Sequence, residues 1–443
     1  MEGSFLSSFF WFTSLDTVKS QRVGDCGQRA RTRTVVRPSA GKKDMSVSHR
    51  IETTQDPVVT RMRALVASTQ GTLSLAQGIV FWEPPPQALS RVQTIVKNMD
   101  TEHSIIHGYG PDEGMPELRE QLVRKLANEN SLSRDYIAHV THGAQQAFAN
   151  IVLALADEGD SAVLFAPYYF NHHMMISMTL GTEAMQIGPC TRGTFHPDLA
   201  WLEEHLSQHP RTKMVVLVNP NNPTGVVMTK DELDRAAALC RTHNVWLVID
   251  NTYEHFTYEG HEHYCPSDPH VIHIFSFSKA FGMMGWRQGY IAFHKDAPGN
   301  LAAQLLKVQD TVPICATQLS QYMSLGALEA GRSWVNERVK MLEDTNRAYV
   351  LDAVSCLGED ALVPSEGAIY VFCKLPEGYE DDEKVVEWLV KKHKICVIPG
   401  SSCGCKGYIR IAFGNLPEDA CRDAAARLKS GLLELVEKTA KIH

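Results

Sequence analysis

The chain has 443 residues, of which 44% are hydrophobic, 21% charged and 8% aromatic, a globular composition that excludes disordered, collagen-like and low-complexity classes. Its 43 Lys and Arg against 51 Asp and Glu leave a formal charge of −8, so no global positive field draws nucleic acid or anionic membrane. No apolar run approaches the roughly 18–20 residues that span a bilayer, so small molecules are the expected partners.

Residues 1–44 open with an aromatic, Ser-rich stretch from Phe5 to Phe12 and then turn basic between Lys19 and Lys43. Glu2, Asp16, Asp25 and Asp44 alone oppose that charge. Arg-rich, acid-poor composition is that of an organelle transit peptide, although Glu2 and Asp16 are atypical for one. Met45 is an alternative start. The expected location is therefore cytoplasmic, or plastid or mitochondrial if residues 1–44 direct import. Residues 45–85 are expected to form an N-terminal arm and part of a smaller domain.

From about Asp135, short apolar runs alternate with amphipathic stretches. Buried strands are expected at Ser161–Phe165, Lys213–Val218, Val245–Ile249 and Val271–Phe275, and helices at Ala144–Ala156 and Lys230–His243. The second helix opens on Thr229 with Glu232 three residues later, the spacing of a capping box. Such alternation predicts βαβ units, an α/β fold and a mostly parallel sheet in a large domain spanning 86–331. Beyond Gly331 the texture changes. A charged helix at Arg332–Leu357, strands at Ala368–Lys374, Ile395–Ile398 and Tyr408–Phe413, an amphipathic Glu383–His393 and a last helix at Pro417–Lys438 predict a smaller α+β domain, 332–443.

Eleven cysteines is an odd number, and Cys315, Cys373 and Cys396 sit among apolar neighbours, as reduced thiols do in a non-oxidising compartment. Cys403-x-Cys405 lacks a second pair at zinc spacing, so no metal site is expected. His172-His173 and the His261, His263 pair read as solvated or packing histidines.

In parallel sheets ligands gather at the carboxyl ends of strands, and here those ends carry unusual polar residues. Asn219-Pro-Asn-Asn-Pro-Thr-Gly225 follows one strand, Asp250-Asn-Thr-Tyr253 the next, and Ser276-Phe-Ser-Lys279 a third, with Arg287 close behind. Thr141-His-Gly143 precedes a helix start, where backbone N–H groups can meet phosphate. An acid ending an apolar strand is costly to bury without a partner, which singles out Asp250. Arg410, alternating with apolar residues in Tyr408–Phe413, is costly for the same reason unless it meets an anion.

These runs, with Ser74-Leu-Ala-Gln-Gly78, Tyr109-Gly-Pro-Asp-Glu-Gly114 and Pro167-Tyr-Tyr-Phe-Asn171, resemble the class I/II, pyridoxal-phosphate-dependent aminotransferases of fold type I. Within that family the likeness is to the plant-type enzymes for aromatic amino acids and methionine, and it runs from about Leu73 to the C-terminus. The resemblance implies that Lys279 binds pyridoxal phosphate and moves the substrate proton, which requires a depressed amine pKa. It implies that Asp250 pairs with the pyridine nitrogen and that Tyr253 and Asn222 hydrogen-bond the phenolic oxygen. Gly143, Ala144, Gln145, Ser276 and Arg287 would hold the phosphate. Tyr169, with Tyr168 as a rival, would stack on the ring. Arg410 would clamp the substrate α-carboxylate beside Gly78 and Asn222.

Tyr109 would reach the phosphate of a neighbouring subunit, which makes a homodimer with shared sites. Phe81, Trp82 and residues 168–170 would give the site apolar surface. The implied activity is a ping-pong transfer of an amino group between an L-amino acid and a 2-oxo acid. No arginine is assigned to a distal carboxylate, which disfavours a strict aspartate enzyme. An aspartate or kynurenine-type transaminase, a lyase of the aminocyclopropane-carboxylate synthase or C–S lyase type, and a non-catalytic cofactor-binding regulator remain as alternatives.

Overall fold

A computed structural model describes residues 45–98 and 106–442 of the chain. The N-terminal extension, and with it the targeting expectation for residues 1–44, lies outside the described residues. From Val47 the chain forms one compact unit. Its strands are β1 (Leu73–Ser74), β2 (Tyr136–Thr141), β3 (Ser161–Phe165), β4 (Met185–Gly188), β5 (Thr212–Val218) and β6 (Trp246–Asp250). They continue with β7 (Val271–Ser276), β8 (Gly289–His294), β9 (Tyr370–Lys374), β10 (Ile395–Cys396), β11 (Ile398–Pro399) and β12 (Tyr408–Ala412).

A seven-stranded sheet runs in the order β2-β8-β7-β6-β5-β3-β4. Strands β4, β3, β5, β6 and β7 run parallel to one another, and β8 runs antiparallel to both β7 and β2. This is the mostly parallel α/β sheet expected from the sequence. Its central strands are Val- and Ile-rich and buried on both faces, as sheets covered by helices require. Val218 of β5 pairs with Asp250 of β6, which pairs with Ile274 of β7, so the polar strand ends stand side by side. The capping box at Thr229 and Glu232 is present, each side chain meeting the other's backbone N–H.

The second sheet is antiparallel, β11-β12-β9, with Arg410 opposite Ile398 and Phe372. The single strand expected at Ile395–Ile398 is divided at Val397. Its first half pairs with β1, Leu73 opposite Ile395, and its second half pairs with β12. The Ala412 N–H also donates to the Leu75 carbonyl at 2.7 Å. The segment leading to Gly78 is thereby tied to the strand that carries Arg410.

The chain kinks at Gly331 (φ 74°, ψ 176°), a conformation that only a residue without Cβ adopts cheaply, so a helix from Gln318 ends there and the charged helix expected from Arg332 begins. It continues past Leu342 through Glu343–Arg347 and Ala348–Val354 to a last turn at Ser355–Leu357.

Candidate active site

Lys279 leaves the end of β7 and enters a cavity of about 200 Å³ walled by the carboxyl ends of β5, β6 and β7, with Arg410 from β12. Among the described residues its ammonium pairs with no carboxylate. Burial, then the charges of Arg287 and Arg410, lower its pKa to about 8, against a smaller opposing pull from Asp250. A neutral amine is therefore available near neutral pH.

Asp250, 3% exposed, ends β6 in the same cavity. Its Oδ2 lies 3.1 Å from His172 Nε2, and its Oδ1 accepts from Thr252 N at 3.0 Å and Thr252 Oγ1 at 2.6 Å. Burial alone would raise its pKa, but the hydrogen bonds and charge of His172 and the Thr252 bonds outweigh it and hold the carboxylate ionised. His172 is therefore more than the packing histidine read from the sequence. It reaches Asp250 from the helix Phe170–Leu180, wedged against Phe148 and Tyr169.

The helix Ala144–Leu155 begins at the cavity with Gly143 as its N-cap and no side chain capping it. Its first N–H groups, on Ala144 and Gln145, face the cavity beside Ser276 and Arg287. Gly143 holds φ 79°, and a Cβ there would sit 2.6 Å from Arg287 Nη2, so the glycine keeps the guanidinium against the helix start. Arg287 donates to the carbonyls of Met284 at 3.1 Å and His142 at 3.3 Å and, among the described residues, pairs with no carboxylate. An uncapped helix start, a hydroxyl and an unpaired fork-shaped cation make an anion cradle.

On the opposite wall Arg410 is 2% exposed. Its Nη1 donates to Asn222 Oδ1 at 3.0 Å and its Nη2 to the Ala76 carbonyl at 2.7 Å, while Nε has no partner. The guanidinium lies over the Tyr370 ring, 4.5 Å from its centroid. A buried arginine without a carboxylate among the described residues is stable only where an anion visits.

Tyr253 and Tyr370 meet hydroxyl to hydroxyl at 2.5 Å on this wall. Tyr370 was not singled out in the sequence. It stands opposite Ala412, diagonally across the antiparallel pair from Arg410, a relation that only pairing register reveals. Gly78 has its own reason, since a Cβ at this position would collide with the Tyr370 hydroxyl.

Of the two tyrosines weighed for the ring-stacking place, Tyr169 faces the cavity, held by Asn171 Nδ2 at 2.8 Å, whereas Tyr168 stacks on His173. Phe81 and Trp82, expected to supply apolar surface, pack away from the cavity against each other and against Phe256. Val59, Ile79, Phe170 and Val218 line it instead. Tyr109 lies outside the cavity with its side chain 82% exposed.

The donor set fits pyridoxal phosphate. An unpaired buried amine, an ionised carboxylate at the cavity floor and an anion cradle at a helix start match its aldehyde, pyridine nitrogen and phosphate.

Comparison with known proteins agrees with this chemistry. The model of the family described as aminotransferase class I and II matches residues 74–428. The chain is 46% identical over 391 residues to aromatic aminotransferase ISS1 of Arabidopsis thaliana, covering 88% of this chain and 97% of that protein. It is 32% identical over 321 residues to the aspartate/prephenate aminotransferase of Thermus thermophilus, covering 70% of this chain and 80% of that one. A solved double mutant of the Thermus thermophilus aspartate aminotransferase superposes with a TM-score of 0.76 at 27% identity, covering 88% of this chain and all of the other.

Proposed function

Since the chain belongs to the class I and II aminotransferases, a pyridoxal-phosphate-dependent family acting on small amino and 2-oxo acids, we propose that its donors are aromatic amino acids and methionine and that it works as a homodimer. The observation that carries this reading is the convergence of Lys279, Asp250 and the buried Arg410 on one cavity whose remaining walls include Val59, Ile79 and Phe170. Those apolar walls suit a ring or thioether better than a small polar side chain. The name of the Arabidopsis relative supports the aromatic class. Exposed apolar side chains at Tyr109, Val312 and Ile314 support a second copy covering them.

Pyridoxal phosphate, when bound, supplies an aldehyde that takes up amines and a ring that acidifies the bond between substrate Cα and its hydrogen. Arg410 receives the α-carboxylate, with Asn222 and the Ala76 carbonyl fixing the plane of its fork. That places Cα toward Lys279, whose amine takes the Cα proton as general base and returns it as general acid. Asp250 stays negative through His172 and Thr252 and holds positive charge at the cavity floor. Ser276, Arg287 and the helix start hold the phosphate.

The test is an absorbance titration of the purified holoenzyme with tryptophan, phenylalanine, tyrosine, methionine and aspartate. Aromatic donors and methionine should bleach the cofactor's visible band fastest, and a 2-oxo acid should restore it. Aspartate ranking first would overturn the donor class, and release of ammonia would move the activity to a lyase.

A further inference from the structure

Asp250 and Tyr253 reach the cavity from the turn that follows β6, whereas Asn251 and Glu254 are buried outside it. The turn closes on itself through the Glu254 N–H, which donates to the Asn251 carbonyl at 2.9 Å. Glu254 is 5% exposed and is ion-paired with Lys125, itself 8% exposed, from the helix Pro116–Glu129. Asn130, just past that helix, accepts from Lys125 Nζ at 2.9 Å and donates to Glu254 Oε2 at 2.7 Å, closing a triangle. The Lys125 ammonium also lies over the Phe275 ring of β7, 4.8 Å from its centroid. Burial alone would raise the Glu254 pKa, but the Lys125 charge, with smaller contributions from His255 and His263, outweighs it. Asn251 is tied down as well, its Nδ2 donating to the Ile249 carbonyl at 3.0 Å and its Oδ1 2.9 Å from His263 Nε2.

None of these side chains lines the cavity. A buried ion pair is a poor source of stability, because desolvation offsets most of the attraction and apolar residues of equal volume often do as well. What it supplies is geometry. Tyr253 carries its hydroxyl at the far end of a rigid ring, so a small rotation of the turn moves that oxygen out of hydrogen-bond range. The Lys125–Glu254 pair fixes that rotation from one residue away.

We propose that Glu254, clamped by Lys125 and Asn130, is a positioning residue that sets where the Tyr253 hydroxyl stands when pyridoxal phosphate occupies the cavity. This rests on the reading of Tyr253 as a hydrogen-bond partner of the cofactor's phenolic oxygen. Glu254 touches neither cofactor nor substrate and acts only through its neighbour.

The experiment compares the native protein, Tyr253→Phe, the double variant Lys125→Met with Glu254→Gln, and all three substitutions together. It measures pyridoxal phosphate affinity of the cofactor-free protein by fluorescence titration, the pH midpoint of the holoenzyme's visible band, and urea unfolding. The double variant should unfold close to the native urea concentration. Its affinity should fall about threefold or more, and its band midpoint should move in the direction that Tyr253→Phe moves it. In the Tyr253→Phe background the same two substitutions should change neither, because the hydroxyl they act through is gone. Asn130→Ala, which spares the ion pair and removes one tether, should give a smaller shift of the same sign. It carries the test if the double variant does not fold. A native band midpoint in the folded double variant, or in Asn130→Ala in its stead, overturns the proposal and assigns the pair to folding alone. An equal loss with and without the Tyr253 hydroxyl overturns it too. A native band midpoint in Tyr253→Phe removes the reading of Tyr253 itself, and the proposal falls with it.

Discussion

His172 and Asp250 meet 3.1 Å apart beneath the cavity, both buried, with the imidazole fixed between Phe148 and Tyr169. Removing the imidazole leaves a buried carboxylate with only its Thr252 bonds. A buried charge that loses one such partner costs about 1–3 kcal/mol. His172→Ala should therefore raise the Asp250 pKa and weaken pyridoxal phosphate binding by about tenfold or more. Fluorescence titration of the cofactor-free variant checks this, and unchanged affinity would assign His172 to packing alone.

The parallel sheet was legible because β5, β6 and β7 are short, Val- and Ile-rich runs ended by polar residues, and the capping box at Thr229 marks its helix unambiguously. Lys279, Asp250 and Arg410 were legible because each is a charge that apolar neighbours make costly. His172 and Tyr370 were not, since their roles come from partners 78 and 117 residues away, Asp250 and Tyr253, that only the folded chain supplies.

Gly78→Ala should displace the Tyr370 ring and break its bond to Tyr253, because a Cβ at 78 falls on the Tyr370 hydroxyl. The expected loss in kcat/KM is at least tenfold, about 1.4 kcal/mol. Adding Tyr370→Phe removes the colliding oxygen, so the double variant should lose less than the sum of the two single losses. Steady-state rates of all four proteins form the cycle, and strict additivity would show that the contact does not couple them.

Arg287 and Gly143 share the phosphate cradle. Gly143→Ala adds a Cβ 2.6 Å from Arg287 Nη2 and imposes a side chain on φ 79°. Pyridoxal phosphate affinity should fall at least tenfold, while free pyridoxal, which lacks the phosphate, should bind with little change. Equal losses for both ligands would place the phosphate elsewhere.

Arg410→Lys keeps the charge and loses the planar fork, so Asn222, the Ala76 carbonyl and a substrate carboxylate can no longer all be served. Charged hydrogen bonds of this kind contribute about 1.5–3 kcal/mol each. The variant should lose roughly 100-fold in kcat/KM for every amino donor alike, since all share the α-carboxylate. A loss confined to one donor class would mean that Arg410 reads side chains.

Lys279 carries a stability cost whose sign follows from its pKa. In the cofactor-free protein the folded value is about 8, below the roughly 10.4 of an unfolded lysine. Below pH 8 both states hold the proton and the full penalty of burying an ammonium is present. Between pH 8 and about 10.4 the unfolded chain alone stays protonated, so stability rises with pH, and above that range the penalty is gone. Complete desolvation would make it about 3 kcal/mol, and an amine partly open to cavity water retains about 1–2 kcal/mol of that. Cofactor-free Lys279→Met should therefore be more stable than the cofactor-free native protein at pH 7 by about 1–2 kcal/mol, and the gap should close by pH 10.5. Urea unfolding at both pH values measures the difference. A native protein more stable than the variant at pH 7 would mean that the ammonium has a partner in the apo cavity and that burial does not depress its pKa.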